Sequence, residues 1–117
     1  MKAIIEVSRK GSVFNAARDQ IAGAKRGRVP DYRLLFESAR TLFAELTPAR
    51  LDLLNTLRGM GSVSVYALAK AAGRNYSNVH ADVARLVELG LVERNDDDTV
   101  LVPFDAVEIR MALAQVA

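Results

Sequence analysis

The chain has no cysteine and one histidine among its 117 residues. Without cysteine there is neither a disulfide framework nor thiolate metal ligation, and a reducing cytoplasm is the natural home of such a sequence. His80 alone, with no thiol beside it, excludes Cys/His nucleophile systems and histidine-rich metal sites. His80 and Asp82 stand two residues apart, a spacing that sends them in different directions on a helix. No P-loop or other glycine-rich phosphate cradle occurs, so the sequence implies no enzyme, no cofactor and no metal. No apolar run approaches the ~20 residues of a membrane-crossing helix, and the opening MKAIIEVSRKG is too short for a signal h-region. Neither a membrane span nor secretion is expected. Internal repeats and low-complexity tracts are also missing.

Positive charge is scarce outside the first quarter of the chain. Residues 1–30 hold seven Lys/Arg against Glu6 and Asp19, for +5, whereas the other 87 hold nine Lys/Arg against twelve Asp/Glu, for −3. The division matters because non-specific affinity for a duplex comes mainly from phosphate neutralisation by basic side chains. The segment KRGRVPD reads as a loop, and its Lys25, Arg26 and Arg28 suit either a solvated linker or an arm that touches phosphate.

What is present is a hydrophobic content of 50%, enough for a core in one domain of ordinary size with an appendage. The most structured stretch is 62–94, SVSVYALAKAAGRNYSNVHADVARLVELGLVER. Val65, Leu68, Ala69 and Ala72 share one face of a first helix, and Gly73 stands where it must stop. Val79, Val83, Leu86 and Val87 repeat the pattern in a second helix, with Asn75 or Ser77 as its N-cap and Gly90 as its stop. A helix-turn-helix needs a small residue at the crossing, a glycine in the turn and a branched apolar anchor on the second helix. Ala69, Gly73 and Val79 supply them in that order.

The flanks complete an α+β arrangement. Lys2 to Ser8 reads as a strand, Val13 to Ala24 as a helix and Tyr32 to Glu37 as a second strand. Ser38 caps a short helix whose Ala39, Leu42, Phe43 and Leu46 face inward; Thr47-Pro48 restarts a helix that runs to about Gly59 with Leu51, Leu54 and Leu57 inward. Leu91 to Arg94 and Thr99 to Val102, around Asn95-Asp96-Asp97-Asp98, form a hairpin wing. Val107, Ile109, Met111 and Leu113 alternate with polar or small residues as in a strand, although the tail ALAQVA also favours a helix. The terminal strands are expected to make a small sheet outside the winged helix, within one chain or exchanged between two.

The run from Leu46 to Phe104 resembles the winged-helix domain of MarR-like transcriptional regulators, in particular a group of small bacterial and archaeal proteins predicted to bind DNA. The likeness lies in LTPARLDLLNTL, in LAKAAGRNYSNVHADVARLVELGLVER, in a short wing and in Pro103-Phe104-Asp105. Positions 77 and 81, often basic in such proteins, are Ser77 and Ala81 here, and the wing tip is three aspartates. The resemblance implies a winged helix-turn-helix at 46–104, with an N-terminal strand-helix extension at 1–45 and a C-terminal strand at 105–117 for dimerisation or interaction. It also implies a cytoplasmic homodimer that binds double-stranded DNA and represses a promoter, its own among the candidates. Some members of the group are thought to be antitoxins, which makes a toxin-like protein the alternative partner.

An α-helix fits the major groove, where base edges present distinct donors and acceptors to its N-terminal residues. On the second helix Asn75, Tyr76, Ser77, Asn78 and Ala81 lie opposite Val79 and Val83, with His80 at the edge. Asn75 or Asn78 suits adenine, Tyr76 a sugar or phosphate, and Arg74 a phosphate or guanine; Lys70 and Arg94 are candidate backbone clamps. The acids Asp82, Asp96, Asp97 and Asp98 are repelled by phosphate, and turn geometry is the simplest reason for those in the wing.

Overall fold

A computed structural model of the chain describes residues 1–7 and 30–113. The helix expected at 13–24 and the basic segment with Lys25, Arg26 and Arg28 lie outside the described residues. Two compact units result, one of residues 1–45 with 105–117 and one of residues 46–104. Among the described residues no helix is long and apolar enough to cross a membrane.

The first unit is a three-stranded sheet in which β1 (Lys2–Val7) lies between β2 (Tyr32–Phe36) and β5 (Ala106–Met111), both parallel to it. Parallel neighbours require long crossovers. Here one runs from β1 to β2, and the other, from β2 to β5, contains the whole second unit in chain order. The register sets Ala3, Ile5 and Val7 beside Tyr32, Leu34 and Phe36 on one side and Val107, Ile109 and Met111 on the other. That face is apolar apart from the Tyr32 hydroxyl, whose pKa burial pushes up. The opposite face carries charge: Arg33 pairs with Glu6, and Glu108 accepts from Lys2 Nζ at 3.2 Å and from Arg110 Nη2 at 2.7 Å. The expected C-terminal strand is present but stops at Met111, and Leu113 is exposed.

Helix α1 (Ala39–Glu45) starts at Ser38, whose Oγ accepts from the Thr41 amide at 3.1 Å. Leu42 is buried, but Phe43, expected inward, is 53% exposed. One residue along a helix is a rotation of about 100°, which sets Phe43 at the margin of the stripe centred on the buried Leu42.

The second unit holds α2 (Pro48–Met60), α3 (Val65–Ala72), α4 (Tyr76–Glu88) and a hairpin of β3 (Glu93–Arg94) and β4 (Val100–Leu101). Thr47 caps α2 by accepting from the Arg50 amide, with Pro48 at the first helical position. Leu53, Leu54 and Leu57 of α2, Leu68 of α3, Val79, Val83 and Leu86 of α4, and Leu91 and Val100 are buried together as its core. The hairpin is shorter than the alternation implied. The amides of Leu91 and Val92 both donate to the Leu86 carbonyl, closing α4 instead of joining a ladder. A third strand-like contact replaces them, since Val63 and Val100 exchange backbone hydrogen bonds of 3.1 and 2.8 Å. Three helices with this hairpin make a winged helix-turn-helix, and the chain as a whole is α+β.

Candidate nucleic-acid interface

The helix-turn-helix is framed by two capping side chains and one glycine. Ser64 caps α3 through the Ala67 amide, and Asn75 caps α4 by accepting from the Asn78 amide at 3.3 Å. Gly73 sits at φ 65°, ψ 33°, and the Gly73 and Arg74 amides close α3 on the Lys70 and Ala69 carbonyls. A Cβ at Gly73 would meet nothing within 4 Å, so it is the left-handed backbone and not space that calls for glycine. Ala69 and Val79 are both buried, at 3% and 0% exposed.

With Val79, Val83 and Leu86 inward, the N-terminal half of α4 turns Tyr76, Ser77, Asn78, His80 and Ala81 to solvent. Asn75, just before it, is also exposed, and its Oδ1 is occupied by the cap. The exposed groups are an amide, a hydroxyl, a phenol and an imidazole, each able to donate or accept a hydrogen bond. Lys70 is exposed on α3.

Tyr66, on the exposed side of α3 and off the apolar spacing, joins this surface. It is 65% exposed, its ring centroid is 6.4 Å from that of Tyr76, and Tyr76 is 5.8 Å from His80. These rings, with Ser64, Arg94 and Asp98, line a cleft of about 350 Å³ between the helices and the wing. Only the offset of Tyr66 from the Val65, Leu68, Ala69 pattern could have signalled it in the sequence.

Arg74 has a different place from the one its sequence position implies. Its Nη2 donates to Asp82 Oδ2 at 2.8 Å while Arg50 Nε of α2 donates to Asp82 Oδ1 at 3.0 Å. The Arg74 Nη1 is buried with no hydrogen-bond partner, while 30% of the side chain stays exposed. Burial alone would raise the Asp82 pKa, but hydrogen bonds and charge from Arg74 and Arg50 outweigh it and hold the carboxyl below its ordinary range. Asp82 thus ties α2, the turn and α4 together.

The wing aspartates shape a turn. Asp97 Oδ1 accepts from the Thr99 amide at 3.1 Å and from the Thr99 hydroxyl at 2.6 Å, which lowers its pKa, and Asp98 adopts φ 67°. Arg94 lies 3.8 Å from Asp98, both near the surface, so its charge is partly offset. The unit carries six Lys/Arg against seven Asp/Glu, net −1. Among the described residues no group of three or more His, Asp or Glu is placed to hold a metal ion.

No curated protein matches the chain. A crystal structure of the multiple antibiotic-resistance repressor (MarR) from Listeria monocytogenes resembles it with a TM-score of 0.45 and 22% identity, over 78% of this chain and 59% of that one. The chain therefore spans less than two thirds of the length of that repressor. The HVO_A0114 family model matches residues 45–109, which takes in all of α2, the turn, α4 and the wing and reaches into β5. With more than half of its length in that match, the chain belongs to the HVO_A0114 family.

Proposed function

We propose that the chain binds double-stranded DNA sequence-specifically, with the N-terminal half of α4 in the major groove, and that it represses a promoter as a homodimer. The observation that carries this reading is the solvent-facing row Asn75, Tyr76, Ser77, Asn78 and His80 on the second helix of a helix-turn-helix whose other face is buried. Recognition of adenine by an amide side chain uses both its oxygen and its nitrogen. The Asn75 oxygen is committed to its cap, so Asn78 is the base reader and Asn75 contributes at most a donor. Tyr76, Ser77 and His80 flank it, Lys70 and Arg94 meet phosphate, and Lys25, Arg26 and Arg28 are the arm that supplements a unit with no net positive charge. Two copies would read half-sites about one helical turn, ~34 Å, apart. The alternative, a protein that neutralises a toxin-like partner through its terminal segments, leaves the polar face of α4 without a use.

The test is binding to the DNA upstream of its own gene against random duplex of equal length, at ~0.15 M salt where surface charge is screened over about 8 Å. The promoter should be preferred, and Asn78→Ala should weaken that binding by ~1–3 kcal/mol without moving the melting temperature. An equal loss on both duplexes would show that Asn78 reads no base.

A further inference from the structure

Strand β5 is an edge. It pairs with β1 along one side, and among the described residues no strand pairs with the other, where Ile109 and Met111 are 40% and 50% exposed. An unpaired edge offers a row of backbone donors and acceptors to another strand. The sequence of this edge, Val107-Glu108-Ile109-Arg110-Met111, is complementary to itself when read in the opposite direction.

We propose that the outer edge of β5 pairs antiparallel with β5 of a second copy, with Ile109 on the two-fold axis; this rests on the homodimer reading above and assigns its surface. In that register Ile109 faces the partner's Ile109 and Val107 faces the partner's Met111, so the apolar face of the sheet continues across the axis. Glu108 faces the partner's Arg110, and Arg110 the partner's Glu108, so the charged face continues as two opposite-charge pairs. Moving the axis by one residue in either direction brings two copies of Glu108 or two of Arg110 face to face. A half-step sets charged residues against apolar ones and turns the faces over. Ile109 is therefore the favoured centre. The outcome is a continuous six-stranded sheet in the order β2-β1-β5 of one chain followed by β5-β1-β2 of the other, with an isologous interface.

The test is sedimentation equilibrium on the full chain without DNA. The unaltered protein should be a dimer, and Glu108→Arg alone or Arg110→Glu alone should each weaken it about tenfold or more by setting like charges opposite each other twice. An equimolar mixture of the two variants should dimerise again, because every Arg then faces a Glu across the axis. The double variant E108R/R110E should also dimerise, and recovery in the mixture cannot come from misfolded chains. A monomeric unaltered protein would overturn both this pairing and the homodimer, leaving the DNA reading to be judged by its own binding test. A dimer indifferent to both single changes would overturn the β5 surface and leave the homodimer standing. Weakened single variants that fail to recover on mixing, with circular dichroism unchanged, would overturn the register.

Discussion

The two units place their charged side chains in opposite ways. In the winged helix, Arg50 and Arg74 converge on Asp82, which keeps only 17% of its side chain exposed, and the three close a link among α2, the turn and α4. In the sheet, Glu108 and Arg110 lie on the edge strand β5 and Lys2 reaches Glu108 from the neighbouring β1, with the two basic side chains half exposed. Lys2 and Arg110 together hold the Glu108 carboxyl below its ordinary range, yet all three still face water. A charge enclosed by its partners fixes the geometry of one chain. A charge left along an edge stays open to whatever the chain meets.

Removing what surrounds the enclosed network should have the largest effect. Leu68 of α3 is fully buried, and Leu68→Ala should cost ~2–5 kcal/mol of the stability of the winged helix, measured by denaturant unfolding. A smaller loss would mean that Asp82 and its arginines, not the core, set how α3 meets its neighbours.

Asp82→Asn should cost less, ~1–2 kcal/mol, since the ion pairs retain some solvent and one hydrogen bond survives in the amide. It also has a pH signature. The folded pKa of Asp82 is depressed, so its contribution is complete above the ordinary carboxylate pKa of ~3.9 and is lost as pH falls through the lower folded value. Unfolding midpoints taken from pH 7 down to that range should fall less steeply in Asp82→Asn than in the unaltered chain. Parallel profiles for the two proteins would remove the distinction between enclosed and open acids.

The smallest effect sharpens the boundary between holding the fold and reading DNA. Asn75→Ala removes the cap of α4 and should cost ~1 kcal/mol, whereas Asn75→Ser keeps a capping oxygen and should cost little. If Asn75→Ser nonetheless loses promoter preference in full, Asn75 reads a base as well as capping the helix.

Local rules account for most of what the sequence made legible. The caps at Ser38, Thr47 and Asn75, the left-handed Gly73, the buried faces of α3 and α4 and the alternation in β5 each depend on residues within a few positions of one another. The misses share a cause. Arg50, Arg74 and Asp82 meet across 32 and 8 positions, and nothing local to Arg74 shows that Asp82 engages its guanidinium. Tyr66 lines the cleft by meeting Tyr76 from the next helix, and the order β2-β1-β5 depends on pairings between distant strands. Phe43 reads as inward from its spacing, but an apolar residue in so short a helix fits more than one face.

The sheet also sets a timetable. Lys2 pairs with Ala106, so β1 leaves the ribosome about a hundred residues before the neighbour that completes its sheet. At ~5–20 residues per second that is a wait of roughly 5–20 s. The winged helix, whose pairings are far more local, has everything it needs before β5 emerges. A nascent chain therefore has all the residues of its helix-turn-helix before β5 is made, and the edge proposed to meet a second copy is the last strand to emerge.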